Sequence, residues 1–291
     1  MNEMATEQRP LWSRIVDFPL VAMAAAIALY ALAVAVALLL GKFVSIGQPG
    51  TAIAHAAIML GLTIGVYKVA IARLGEHQHD DLRAARAPTD LGKGLATGTI
   101  LFSSVVGVAA MVGIYRVTGR GSVSEILVPV IASAIMPGFM EEILFRGILF
   151  RWIEEFGGSW SALIVTSALF GIAHIFNPGA TWFSSFAIAV EAGLLLGGVY
   201  MLTRSLWMPI GLHAAWNFTQ GPVFGVPVSG GPPNGLLHST LKGPTLLTGG
   251  AFGLEASLIC VAIATATGLW FVCLAVRKGE LRQPWWAGRV G

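Results

Sequence analysis

Residues 126–150 read ILVPVIASAIMPGFMEEILFRGILF, and Glu141, Glu142 and Arg146 are the only ionisable residues in the run. About 20 apolar residues suffice to cross a bilayer as a helix. Two acids and a base inside such a run are costly and mark a functional site. The stretch therefore predicts both a membrane helix and a polar site within it.

Working outward, seven further apolar stretches lie near 20–41, 52–71, 95–115, 159–176, 181–203, 206–220 and 251–276. The expectation is an all-α, polytopic helical membrane protein with about eight transmembrane helices. The run 206–220 is short and contains Pro209 and Gly211, so it is tilted, kinked or only partly inserted. Residues 1–291 form a single membrane domain: N-terminal spans over 20–115, a catalytic core over 126–220, and a loop and span over 221–276. Composition agrees, because 55% of residues are hydrophobic and only 11% charged, against roughly 25% charged in soluble domains. Mean hydropathy is +0.75. The alternation of an outer-membrane barrel is absent, and a net charge of +3 gives no support for a nucleic-acid partner.

Basic residues orient the spans. The segments on one side hold Arg9, Arg14, Lys68, Arg73, Arg83, Arg86, Lys93, Arg151, Arg204, Arg277, Lys278, Arg282 and Arg289, thirteen of the 18 Lys and Arg residues. The other side holds Lys42, Arg116, Arg120 and Lys242. By the positive-inside rule the first side, with both termini, is cytoplasmic, as expected of an integral protein of the cell (plasma) membrane. Met1–Pro10 precede an apolar run too long for a signal-peptide core, so the first span is expected to stay as an anchor. Cys260 and Cys273 share the last span about 20 Å apart along a helix, too far for a disulfide, and read as core residues.

Three clusters carry the chemistry. Glu142 and Arg146, four apart, share a helix face and can pair. Glu141 is turned about 100° from Glu142 and is left free to act as a general base. Next comes Phe170…His174, with a ring one turn before a mid-span histidine. The third is His213…Asn217, two side chains on one face able to hold a developing oxyanion in a dry site. One acid and two histidines also make a familiar first set of zinc ligands. The residues alone thus leave open a water activated by Glu141 and His174, and a metal held by Glu141, His174 and His213.

In this order (EExxxR, FxxxH, HxxxN on successive membrane helices) the chain resembles the CPBP family of intramembrane proteases. That family includes the type II CAAX prenyl endopeptidases and abortive-infection and bacteriocin-processing relatives. The resemblance implies an intramembrane endopeptidase acting on membrane-associated peptides or proteins, including lipidated, CAAX-like ones. It implies Glu141 as the base, assisted by His174, with His213 and Asn217 on the oxyanion. Glu142, Arg146 and Phe170 would support the site. A metal-free, glutamic-type mechanism is favoured, because His and Asn on one face suit an oxyanion site better than a zinc pair; zinc is the alternative. Other readings are a non-catalytic scaffold or immunity protein of the same fold, and a proton-coupled transporter. No inverted repeat of the kind common in transporters is visible.

The remaining polar residues read more plainly. Glu191, among Ala192, Gly193, Gly197 and Gly198, is expected to bond a neighbouring helix rather than line a water path. His55 reads as core. Glu76, His77, Gln78, His79, Asp80 and Asp81 look superficially metal-binding but read as a solvated loop. Trp270, Trp285 and Trp286 are interfacial anchors. The loop 221–250 lacks helical periodicity and, following the third motif, is placed to cover the site.

Overall fold

The computed structural model describes residues 15–75 and 79–287. Arg9, Arg14, Glu76, His77, Gln78 and Arg289, and the segment 1–10, lie outside the described residues. Among the described residues six helices are long and apolar enough to cross a membrane: α1 (Pro19–Gly41), α2 (Gly50–Arg73), α3 (Ala84–Met111), α4 (Val123–Phe176), α5 (Trp182–Thr203) and α7 (Leu258–Arg277). Between the last two lies α6 (Trp207–Phe218), continued by a π-helical turn Thr219–Val223. Two of the stretches expected to be separate spans, 126–150 and 159–176, fall within the single 54-residue run α4. That run breaks at Gly158, whose φ of 82° and ψ of 168° leave the helical region. A side chain there would be strained at that φ and would crowd the Arg282 carbonyl at 3.1 Å.

Local chemistry sets several helix starts. Pro19 occupies the first turn of α1, where its missing N–H is no loss. Thr181 and Ser184 form a reciprocal capping box at α5, and the Ser257 hydroxyl accepts from the Cys260 N–H at α7. Four π-helical segments interrupt the regular helices: Val130–Ile135, Ile143–Phe150, Ala189–Gly193 and Thr219–Val223. Each adjoins or contains a motif residue or a residue bonded to one.

The fold is not purely helical. β1 (Tyr115–Arg120) and β2 (Leu237–Leu241) pair antiparallel, Tyr115 opposite Leu241, with an irregularity between Val117 and Gly119. They join two loops assigned by charge to the same side. At the other end the loops carrying most of the basic residues are tied by Lys68–Asp80 (2.6 Å), Arg151–Asp81 (3.2 Å) and Arg204–Glu154 (2.6 Å). Burial opposes the Arg204 charge, but the hydrogen bond and charge of Glu154 outweigh that and raise its pKa. His79, Asp80 and Asp81 are therefore no solvated stretch: Asp81 is buried and also accepts from Tyr200 Oη at 2.9 Å.

Two further expectations are corrected. His55 lies at the protein surface, its Nε2 beside the carbonyls of Gly41 (2.9 Å) and Val44 (3.2 Å) at the C-terminal end of α1. Cys260 is buried as expected, but Cys273 is exposed, and both are free thiols. Trp270 and Trp286 are exposed at 57% and 50%, whereas Trp285 is half-buried.

The helix bearing the third motif is seated by close packing. Gly94 and Gly98 on α3 form a small-xxx-small pair that admits α6. A Cβ at Gly98 would stand 2.3 Å from the Leu212 carbonyl oxygen. Phe102 and Trp216 then meet edge to face at 5.1 Å between centroids.

Candidate active site

The i, i+4 spacing of Glu142 and Arg146 gives an ion pair, Arg146 Nη1 to Glu142 Oε1 at 2.9 Å, with both residues fully buried. The same carboxylate oxygen lies 2.8 Å from Nδ1 of His213, 71 residues along the chain. Glu142 is thus the joint between the first motif, on α4, and the third, on α6. A carboxylate can only accept, so His213 carries a hydrogen on Nδ1, and its Nε2 remains for other work. Arg146 also donates to the carbonyls of Ala192 and Gly193 at 3.3 and 3.4 Å. Those carbonyls border the π turn of α5, where the regular helical bonding pattern is interrupted.

Phe170 supports several of these groups. The Arg146 guanidinium sits 4.8 Å above its ring, a cation–π contact. Its ring lies 4.7 Å from His174, 4.8 Å from Phe145 and 6.1 Å from His213, centroid to centroid. His174 Nδ1 donates to the Phe170 carbonyl at 2.7 Å. A carbonyl only accepts, so the hydrogen of a neutral His174 is on Nδ1, and Nε2 carries the lone pair of a base.

His174, His213 and Asn217 line one cavity of about 30 Å³, space for one or two waters by the usual measure. Asn217 donates one amide hydrogen to the Ser133 carbonyl at 2.9 Å, which leaves it a second. Glu141 is not among the residues lining that cavity. It lies on the next side of the helix, half-buried, with Oε2 buried and without a hydrogen-bond partner. Its charge acts on Tyr30, Arg146 and His213. Tyr30 in turn donates to the Met140 carbonyl at 2.9 Å, holding α1 against this turn.

Sequence reading missed the opposite wall. Glu191, 1% exposed, lines the cavity and also meets the Cys260 thiol of α7, so it bonds a neighbouring helix, as expected, while facing the cavity. Glu255 and Ser229 complete that wall. Glu255 accepts from the Ser229 main chain and side chain and from Gln220. The available signal was the presence of Glu191 and Glu255 in apolar surroundings; their convergence requires the fold. Ser229 belongs to the loop 221–250, which does cover the site.

The zinc alternative requires Glu141, His174 and His213 to converge. Among the described residues no three His, Cys, Asp or Glu side chains gather into a ligand set. These residues do not fit a metal in this arrangement.

Residues 123–219, a third of the chain, match a family described as type II CAAX prenyl endopeptidase Rce1-like. The matched stretch contains all three motifs and agrees with the CPBP resemblance. No curated protein and no solved structure matches the chain significantly.

Proposed function

Proceeding from a segment, residues 123–219, that matches the type II CAAX prenyl endopeptidases, a protease family, we propose that this protein is an intramembrane endopeptidase of glutamic type. The observation that carries the reading is Glu142 Oε1 bonded at once to Arg146 and His213, which fixes His213 beside His174 and Asn217 at one cavity. His174, in the cavity, and Glu141, once its carboxylate turns from the adjacent helix face toward that cavity, take the proton of a water that attacks the scissile carbonyl, whose oxygen gains charge as the tetrahedral intermediate forms. His213, which takes a proton from solvent onto Nε2 beside the Glu142 carboxylate before substrate binds, donates that hydrogen as a hydrogen bond to the oxygen, and Asn217 donates its remaining amide hydrogen. Such donors are worth most in a site from which bulk water is excluded. The proton taken from water then passes to the leaving nitrogen as the C–N bond breaks.

The substrates are peptide segments of membrane-associated proteins, and no cofactor takes part. With α4 turning back at Gly158 and α6 crossing as a short inner helix, the chain passes the bilayer eight times, both termini in the cytoplasm of a cell bounded by this membrane.

Purified wild type and Glu141→Gln, incubated in detergent with a library of membrane peptides, test the proposal by mass spectrometry of new termini. Termini generated by wild type alone support it. Equal cleavage by both refutes Glu141 as the base, and cleavage by neither favours a non-catalytic scaffold.

A further inference from the structure

Resting on that proteolytic reading, we infer that the catalytic cavity is served from the extracytoplasmic end of the molecule. The substrate's extended peptide chain would occupy a groove between residues 125–133 and 228–238. The two ends of the molecule differ sharply. At one, Lys68, Arg151 and Arg204 are paired with acids of the loops that run among them; no residue of that ionic belt lines the cavity. At the other, His174 stands two residues before the end of α4 at Phe176. Ser229 and Glu255, from the segment after α6, form part of the cavity wall itself, and the Gly230 N–H donates to the Phe252 carbonyl to hold that cover together.

The groove, of about 530 Å³, opens at this second end and is lined by Glu125, Ser133, Val228, Asn234, Gly235 and His238 among others. That volume falls within the range of sites that enclose a ligand of several rigid groups, enough for a few residues of extended chain. Only one layer of side chains divides it from the catalytic cavity. Ser133 lines the groove while its carbonyl holds Asn217, which lines the cavity. Val228 faces the groove and its neighbour Ser229 the cavity. Thirteen of the 18 basic residues fall in the sequence segments assigned to the side of that first end, so the groove faces away from the cytoplasm. A lipidated C-terminus presented in the cytoplasm would meet the closed end. The fitting substrate is an unfolded extracytoplasmic segment of a membrane-anchored protein.

The test uses membrane vesicles of opposite sidedness carrying equal amounts of the full-length protein, with a water-soluble peptide containing a sequence cut in detergent. Right-side-out vesicles should cleave at least tenfold faster than inside-out ones, and detergent should equalise them. Equal or faster cleavage by intact inside-out vesicles overturns the inference, whereas failure in detergent would instead fault the proteolytic reading. Asn234→Cys provides the second measurement, since Cys260 is buried and Cys273 lies on a membrane helix, out of reach of a bulky impermeant maleimide. Labelling Cys-substituted position 234 from outside should reduce cleavage at least tenfold relative to the unlabelled variant. Complete labelling without loss overturns the groove assignment.

Discussion

Replacing Arg146 with Met tests the joint at Glu142 most directly. The guanidinium lies 2.9 Å from Glu142 Oε1 with both residues fully buried. At an effective dielectric constant near 20 the gross attraction across that distance is about 6 kcal/mol. Much of this offsets the cost of dehydrating the two ions, so the net worth of the pair against an apolar replacement is small. Removing one member alone is different, because Glu142 would remain buried with only His213 to answer its charge. Breaking a buried pair in this way costs about 3–5 kcal/mol. Tryptophan fluorescence during urea unfolding in mild detergent, applied to wild type, Arg146→Met, Glu142→Gln and the double variant, would measure it. The double variant should lose well under the sum of the two single losses, since neither change then strands a charge. Single losses below about 1 kcal/mol, or strict additivity, would place the pair with weak exposed ion pairs and refute the reasoning.

Three other outcomes are expected. Glu191→Met removes a fully buried carboxylate answered only by the weak Cys260 thiol donor and should stabilise the protein by about 1–3 kcal/mol in thermal unfolding, while lowering turnover; destabilisation would mean that Glu191 is structurally satisfied. Asn217→Ala should reduce kcat by about 10²–10³ with KM little changed, as steady-state assays on a library-derived peptide would report. Gly98→Ala forces a methyl toward the Leu212 carbonyl and should cost about 1–3 kcal/mol, with reduced cleavage because the helix bearing His213 is displaced.

The membrane helices and the three motifs were legible because each depends on neighbours within one helix. An acid or histidine in an apolar run stands out, and spacing alone pairs Glu142 with Arg146. The contact from Glu142 to His213 was not legible, because it spans 71 residues and follows from how α4 and α6 pack. The π turns were equally hidden. A five-residue change in helical bonding leaves no period in the sequence, yet beside Arg146 it exposes the carbonyls that the guanidinium takes. The strand pair and the Ser229–Glu255 wall escaped because Gly- and Pro-rich loops have no repeating pattern to read. His55 and Cys273 were placed in a core on polarity and span position, although the side of the helix each faces decides exposure.

The position of Glu142 has a consequence for biosynthesis. Its partner on α6 emerges from the ribosome some seventy residues later, and Glu255 later still. The nascent chain therefore holds its hydrolytic groups apart throughout the stage when its own unfolded segments are nearby and vulnerable. On the proposed proteolytic reading, competence arrives only when the late helices dock, so assembly itself would serve as the safety catch that proteases elsewhere obtain from a removable inhibitory segment.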